Sequence, residues 1–327
     1  FSAQPAIASN GQLTFTPAPN TNGSATVSVV VNDNSGTANG GVESRTRSFT
    51  INVDGINDPP VLTASGSSNL TASGSNFTAD NAFTTILEDP TTNNGDAVST
   101  FLNSAAASDV ETVGAVTGIA ITSTDSANGD WEFSTNGSTF TTFTATASSS
   151  RLLDGANANH KVRFVPDANF NGTANITFRA WDKSAGAAGS TANTGSTGDP
   201  TPFSTGEVTK TITVTSVNDQ PDVTFSSSTL NVNEDAGAQT VGSFATANSG
   251  GGTPENSQTF TFAVTNNNNS LFSAQPAIAS NGQLTFTPAT NANGTATVSV
   301  VVQDNGGTAN SGVDSRTKTF SITVNPI

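Results

Sequence analysis

The chain has 327 residues, no cysteine and a net charge of −15, from 25 acidic and 10 basic residues. The acidic balance argues against a nucleic-acid-binding protein, which needs clustered Lys and Arg, and the lack of cysteine excludes disulfides and thiol nucleophiles. With 33% hydrophobic and 11% charged residues, the composition favours β-structure over helices, and no apolar stretch reaches the roughly 20 residues of a membrane span.

Short segments rich in Val, Ile, Thr and Phe alternate apolar and polar residues, which is the pattern of a half-buried strand. In chain order they are residues 25–31, 48–53, 174–180, 208–214, 260–264, 296–302 and 319–324. Asn-Gly, Ser-Gly, Gly-Gly and Asn-Asp clusters between them supply tight turns. We therefore predict an all-β chain of antiparallel β-sandwiches.

The chain repeats itself. Residues 1–17 recur letter for letter at 272–288, and 43 of 56 positions agree between 1–56 and 272–327. Residues 163–182 are a weaker third copy, which keeps a Pro-x-x-Asn-x-Asn-Gly motif and a closing Asp. Such self-similarity indicates a tandem array in which each unit buries its own core.

Two proline-containing linkers mark the domain boundaries. Asn57-Asp58 and Asn218-Asp219 each follow a predicted final strand and precede a proline, which cannot pair within a central strand. We predict a truncated domain at 1–58, a domain at 59–220 and a complete domain at 221–327. The middle domain carries a Gly/Ser/Thr/Ala-rich insertion at 184–206, interpreted as an extended loop or hairpin of low local stability.

Residues 1–58 correspond only to the second half of the last domain, so their apolar face lacks its covering strands. We expect Phe15, Val27, Val29 and Phe49 to be covered by strands equivalent to 231–241 and 260–264. These strands would come from preceding residues of a longer polymer, which we favour, or from a neighbouring molecule.

The boundary residues resemble those of the cadherin-like repeats of giant bacterial surface proteins and adhesins, over nearly the whole chain. Four kinds of position are similar: a first-strand acid, a DxD-like pair, a strand-end acid and the linker. In that order they are Glu88 and Glu234; Asp109 and Glu111; Asp33, Asp182 and Asp304; and Asn57, Asp58, Asn218 and Asp219.

The chain also departs from that family. Its middle LDRE motif is replaced by the Pro-x-x-Asn-x-Asn-Gly segment, and Gly55 and Ser216 stand where the first linker Asp is expected. The DxD counterpart in the last domain is a Gly-rich stretch with Glu255 as its one acid.

The resemblance implies cadherin-like Greek-key sandwiches in a linear array, with Ca²⁺ held at the domain junctions, since Ca²⁺ takes six to eight oxygen ligands. We favour the first junction over the second, and Glu234 is the matching acid of the last domain. The expected first-junction ligands are Asn57, Asp58, Asp109, Glu111 and Asp182, and the second-junction ligands are Glu88, Asn218, Asp219 and Asp304.

Plainer interpretations remain open for several residues. Asn57 and Asp58 could simply start a turn, and the repeated Asn-x-Asn-Gly is interpreted as structural. Trp131 and Trp181 lie in apolar strand patterns, which favours core packing over sugar stacking. The sole histidine, His160, has no nucleophile motif near it, so we expect no enzyme.

We expect a structural segment of a large extracellular bacterial surface protein, acting as spacer, adhesin stalk or fibre. Its expected partners are adjacent repeats, neighbouring copies of the same protein, or cell-surface glycans or proteins, and not nucleic acid. The alternative is a carbohydrate- or protein-binding module centred on the middle domain and its insertion.

Overall fold

The computed structural model describes residues 1–34, 36–62, 83–100, 107–110, 116–252 and 255–327. The described residues form β-strands and short 3-10 turns and no α-helix, which confirms the all-β prediction. No helix in these ranges is long and apolar enough to cross a membrane.

The N-terminal sheets, within residues 1–58, are two antiparallel hairpins with one 3-10 turn. Their strands are β1 (Ala3–Ile7), β2 (Leu13–Thr16), β3 (Gly23–Asn32) and β4 (Ser44–Val53), and the turn is Ala38–Gly40. Strand β1 pairs with β2, and β3 pairs with β4 from Gly23↔Val53 to Asn32↔Ser44. Among the described residues, neither hairpin is extended by a third strand.

The described part of the middle sandwich has twelve strands and the 3-10 turn Val98–Thr100. Its strands are β5 (Val61–Leu62), β6 (Ile86–Leu87), β7 (Asp96–Ala97), β8 (Ala107–Ser108), β9 (Gly118–Thr124), β10 (Gly129–Ser134), β11 (Thr141–Thr142), β12 (Ser150–Asp154), β13 (Lys161–Pro166), β14 (Gly172–Trp181), β15 (Thr191–Ala192) and β16 (Val208–Thr215). One sheet has the order β11-β10-β13-β7, the facing sheet β15-β12-β9-β14-β16-β6, and β5 pairs with β8.

In the described residues of the C-terminal sandwich there are nine strands and the 3-10 turns Asn269–Leu271 and Ala309–Ser311. Its strands are β17 (Asp222–Phe225), β18 (Thr229–Asn233), β19 (Gln239–Val241), β20 (Ala245–Asn248), β21 (Thr261–Asn266), β22 (Phe272–Ile278), β23 (Leu284–Pro288), β24 (Gly294–Gln303) and β25 (Ser315–Asn325). The sheets have the orders β18-β25-β24-β21, β19-β23-β22 and β17-β20.

Both sandwiches close one sheet edge with a parallel pair. Strand β6 runs parallel to β16, and β18 runs parallel to β25, while the other paired strands are antiparallel. Each sandwich has its own apolar core. The middle core is built around Trp131 and Phe164 and the C-terminal core around Phe244 and Phe320, and these four rings are at most 3% exposed.

The insertion at 184–206, predicted as an extended loop or hairpin, packs on the outer face of the six-stranded sheet. Strand β15 within it pairs with β12. Phe203, at 4% exposure, joins Ala120, Leu152 and Trp181 in a small separate core. The segment therefore covers apolar surface of the sheet that would otherwise face water.

Strands β14 and β24 set the separation of the polar ends of the sandwiches. Each is ten residues long and spans about 30 Å at roughly 3.3 Å per residue. Asp182 and Asp304 directly follow these strands, at the end that receives the preceding linker, here called the leading end. Asn171 and Asn293 directly precede them, at the opposite or trailing end.

Candidate metal centre

At the first junction, Asn57 ties the linker to the leading end of the middle sandwich. Its side-chain amide donates to Asp182 Oδ2 at 2.9 Å and to the Thr201 carbonyl at 3.2 Å. The other carboxylate oxygen of Asp182 accepts the Ser184 N–H at 2.7 Å. The predicted linker residue and the predicted strand-end acid therefore do meet.

Asp58, another predicted ligand of the first junction, lies at a surface cleft. It lines this cleft together with Asp54, Asp199 and Val110, and Val110 is the neighbour of half-buried Asp109. Glu111 lies outside the described residues. The first junction thus brings several acids to one cleft, with Asn57 on Asp182.

At the second junction, Asn218 repeats the role of Asn57. Its amide donates to Asp304 Oδ1 at 3.1 Å and to the Val313 carbonyl at 2.9 Å, and its Oδ1 accepts from Gln258 Nε2 at 2.7 Å. A Cβ at Gly306 would collide with Asn218 Oδ1. The linker Asn is therefore held by the leading end of the C-terminal sandwich in a slot that glycine keeps open.

The trailing end of the middle sandwich contributes Glu88, which is 4% exposed. Its Oε1 accepts the Val217 N–H at 2.5 Å and the Ser216 hydroxyl at 3.1 Å, and its Oε2 accepts the Asn171 amide at 3.1 Å. Asn171 is the second Asn of the repeated motif. Its side chain therefore binds a carboxylate of this group.

Asn169, the first Asn of the motif, connects acids from both sides of the junction. Its backbone N–H donates to Asp89 Oδ1 at 3.3 Å. When its side-chain amide is assigned with the nitrogen facing the carboxylates, the orientation that satisfies both amide atoms, that nitrogen donates to Asp89 Oδ2 at 3.1 Å and to Asp219 Oδ2 at 3.0 Å. Asn169 and Asp89 adopt the left-handed conformation, with φ of 59° and 49°, which Asn and Asp tolerate better than most residues. These two residues therefore extend the site beyond the predicted acids.

Glu255 completes the group from the C-terminal sandwich. It is 6% exposed, and its Oε1 accepts the Asp219 N–H at 3.1 Å, while its Oε2 is buried without a hydrogen-bond partner. A Cβ at Gly251 would collide with Glu255 Oε2 and would lie 2.7 Å from Asp219 Oδ2. Only glycine at 251 leaves room for both carboxylates.

The pKa values of two of these carboxyl groups reflect their burial and the negative charges around them. Burial, followed by the charges of Asp89 and Glu88, raises the pKa of Asp219. Burial also raises the pKa of Glu255, opposed by its hydrogen bond from the Asp219 backbone and reinforced by the charges of Asp219, Glu88 and Asp304. Both carboxyl groups are therefore costly to ionise in the absence of a cation.

We call Glu88, Asp89, Asp219, Glu255 and Asp304 the second-junction acids. None of the ion pairs found among the described residues includes any of them. Within the same residues, no three acids or histidines lie close enough together to enclose a metal ion. The acids instead accept hydrogen bonds from amide groups, and Glu255 Oε2 is buried in the cluster without a hydrogen-bond donor.

The types of donor atom match those of a hard divalent cation, although the acids are not close enough together here to enclose one. Carboxylate oxygens from two neighbouring units, one of them buried and without a donor, match the ligand type of Ca²⁺, whereas Mg²⁺ prefers a few carboxylates and several waters. A bound cation would neutralise the repulsion that raises the pKa of Asp219 and Glu255. Asp89, Asp219 and Glu255 are the residues that would hold it, and they would have to move closer together than they stand here to enclose the ion.

Glu234 does not belong to the second junction. It lies at the trailing end of the C-terminal sandwich, where it accepts the Ile327 N–H at 3.0 Å and faces the Asn293 amide at 3.5 Å. Its neighbour Asp235 accepts the Asn291 N–H at 3.2 Å. This arrangement repeats that of Glu88 and its neighbours, so both sandwiches have the same pair of acids facing the Asn residues of the motif at the trailing end.

Sequence reasoning missed Glu255, Asp89 and Asn169 as parts of this site. Glu255 carried a usable signal, since it is the one acid in the stretch that stands in place of the DxD-like pair. Asp89 directly follows the predicted acid Glu88. Asn169 gave no signal of its own, because Asn in a turn is ordinary.

Both tryptophans belong to the interior, as expected. Trp131 and Trp181 are at most 1% exposed, and their indole N–H groups donate to the carbonyls of Asp125 and Ala185 at 2.9 and 2.8 Å. Neither ring is accessible for stacking on a sugar. His160 is also buried, and its Nδ1 accepts the Asp154 N–H at 2.8 Å, which is a structural contact.

No family model and no curated protein matches the chain. Solved structures that it is similar to are cadherin extracellular domains. Mouse protocadherin-24 EC1-3 has 16% identity and a TM-score of 0.48, with 98% of this chain and 86% of that chain covered. Mouse cadherin-23 EC22-24 has 15% identity and a TM-score of 0.39, with 99% and 82% covered. Protocadherin gamma B2 EC1-5 has 14% identity and a TM-score of 0.44, and the chain spans 50% of its length.

Proposed function

We propose that this chain is a non-enzymatic structural segment of a large extracellular bacterial surface protein, with cadherin-like domains at 1–58, 59–220 and 221–327. It serves as a spacer, stalk or fibre whose junctions are stiffened by Ca²⁺. Adjacent repeats or neighbouring copies of the same protein are its first partners. The three-domain division follows the linkers and the separate cores of the two sandwiches.

The observation that carries the proposal is the second-junction acid group. It draws Glu88 and Asp89 from one sandwich, Asp219 from the linker, and Glu255 and Asp304 from the next sandwich. A cation shared by these residues would bind only when the two sandwiches hold one relative orientation. Binding energy would therefore be converted into stiffness of the array.

Calorimetric titration of the full chain with Ca²⁺ tests the proposal, with Mg²⁺ as the competing ion. We expect Ca²⁺ to bind and to be preferred over Mg²⁺. Glu255→Gln should weaken the binding by on the order of tenfold, about 1.4 kcal/mol, because it removes a buried ligand charge. The matched control Asp130→Asn alters an exposed acid on β10 and should leave binding unchanged. Absence of Ca²⁺ binding, or equal loss in both variants, would refute the proposal.

A further inference from the structure

The N-terminal sheets expose an apolar face that the C-terminal sandwich buries in its own copy. Phe15, Val31 and Phe49 are 39%, 63% and 36% exposed. Their counterparts 271 residues later are Phe286, Val302 and Phe320, at 2%, 0% and 3%. Ile7 differs in the same way from its counterpart, at 46% against 7%. The side chains are the same, so the difference lies in what covers them.

The cover in the C-terminal sandwich comes from residues 221–271. Strand β18 pairs with β25 through Thr229↔Ser321 to Asn233↔Asn325, and β21 pairs with β24. Strand β19 pairs with β23. Apolar side chains of this cover pack on the core, namely Phe225, Leu230, Val232, Val241, Phe260, Phe262 and Val264.

The corresponding strand edges in the N-terminal sheets are open. Strands β2, β3 and β4 are the copies of β23, β24 and β25, and within the described residues they pair only as β1-β2 and β3-β4. Each therefore offers an unpaired edge where its copy receives β19, β21 or β18. Open edges beside an apolar face are a template for added strands.

The differences between the two copies all lie outside this face. Of the 56 aligned positions 13 differ, and none of those 13 is buried in the C-terminal copy. The apolar positions buried there are all retained in the N-terminal copy, as Phe1, Ile7, Leu13, Phe15, Ala25, Val27, Val29, Val31, Phe49, Ile51 and Val53. The face thus keeps the shape that fits one particular cover.

We propose that the face of the N-terminal sheets is a receptor for a second copy of residues 221–271. The copies of β18, β21 and β19 add to the edges of β4, β3 and β2 in the register of the C-terminal sandwich. Thr229 of the added copy then lies opposite Thr50, Thr261 opposite Asn32, and Gln239 opposite Phe15, as obtained by subtracting the 271-residue offset from the observed pairs.

The chain cannot satisfy this face from its own residues 221–271 without uncovering its C-terminal sandwich. The test therefore supplies an extra copy, placed directly before Phe1 of the full chain, as Leu271 directly precedes Phe272. Hydrogen exchange is followed by mass spectrometry on peptides 18–32 and 43–53, whose sequences differ from 289–303 and 314–324. The two copies can then be read separately.

We expect exchange of both peptides to slow by roughly a hundredfold or more, to the level of their C-terminal counterparts. A matched graft with Val232→Asp and Val264→Asp in the added copy alone should give no protection, while 289–303 and 314–324 stay protected and report an intact C-terminal sandwich. Equal protection by both grafts, or no protection by the native graft, would overturn the proposal. So would full protection in the ungrafted chain at all concentrations.

Discussion

Glu255 is the residue in which burial and charge conflict most directly. One oxygen accepts the Asp219 N–H, the other has no donor, and burial raises the pKa of its carboxyl group. A buried carboxylate without full compensation destabilises the fold that holds it. The same residue becomes favourable when a cation supplies the missing charge.

Glu255→Gln should therefore have opposite effects with and without Ca²⁺. In chelator at neutral pH we expect the variant to be more stable than the native chain by about 1 kcal/mol, because a buried charge is removed. In saturating Ca²⁺ it should be less stable, because a ligand is lost. Thermal melting of the C-terminal sandwich in both conditions measures this, and a shift of the same sign in both would contradict it.

Acidification should strengthen the junction in chelator. The pKa values of Asp219 and Glu255 are raised in the folded state, so the folded chain binds more protons than the unfolded chain. The stabilisation that these two groups contribute is therefore fully present below their pKa values in the unfolded chain. It is lost as the pH rises through their pKa values in the folded chain. Denaturant midpoints in chelator should rise as pH falls from neutral toward the carboxyl range. In Ca²⁺ the trend should reverse, and the double variant Asp219→Asn, Glu255→Gln should flatten both.

His160 should make the middle sandwich sensitive to acid. Burial lowers its pKa, with Asp154 opposing the shift, and its Nδ1 must stay unprotonated to accept the Asp154 N–H. The stabilisation that neutral His160 contributes is therefore fully present above its ordinary pKa of 6.5. It is lost as the pH falls through the lowered pKa of His160 in the folded chain. His160→Gln should cost about 1–3 kcal/mol at neutral pH and abolish this dependence. A midpoint of the middle sandwich that shows the same pH profile in both proteins would refute the assignment.

At the scale of elements, the insertion at 184–206 is stabilised by its own small core. Phe203→Ala removes the ring that packs beside Trp181 and Leu152 and should cost about 3 kcal/mol. We expect the insertion to open while the main core of the middle sandwich persists. In NMR spectra the chemical shift of the Trp181 indole N–H should move toward that of a solvent-exposed indole, and the chemical shift of the Trp131 indole N–H should not. Phe164→Ala, in the main core, is the comparison that should move both.

The strands were predictable because their pattern is local. The segments 174–180 and 296–302 lie within β14 and β24, where Val, Ile, Phe and Ala alternate with polar residues. The packing of the insertion was not predictable, since its Gly/Ser/Thr/Ala composition is that of a loop. Phe203 and Trp181 pair as an isolated bridge, and a contact of this kind leaves no periodic signal.

The candidate site was predictable only in part for the same reason. The acids in the linkers and at the strand ends can be recognised from their neighbours, and Asn57–Asp182 and Asn218–Asp304 do meet. The role of Asn171 depends on a tertiary contact within its own sandwich, and that of Glu255 on a contact between the C-terminal sandwich and the linker. Sequence spacing does not encode such tertiary contacts, so the ligand set of the first junction remains a prediction.

At the scale of the whole molecule, the proposed function places the flexibility of the array at its domain junctions. The two sandwiches have separate cores, so their relative motion depends on the linkers and the acids around them. Without a cation, repulsion between the carboxylates at the junction would favour separation of the two sandwiches. We propose that a shared cation would hold one orientation of the two sandwiches and make the acidic chain rod-like.

Small-angle scattering of the full chain in Ca²⁺ and in chelator, paired with calorimetry of the same samples, tests this central claim most directly. We predict that Ca²⁺ narrows the distribution of particle lengths around an extended form. It should also stabilise the fold by about 2.7 kcal/mol at a hundredfold excess over Kd, and Glu255→Gln should reduce both effects. Identical scattering profiles and identical melting in Ca²⁺ and chelator would contradict the account.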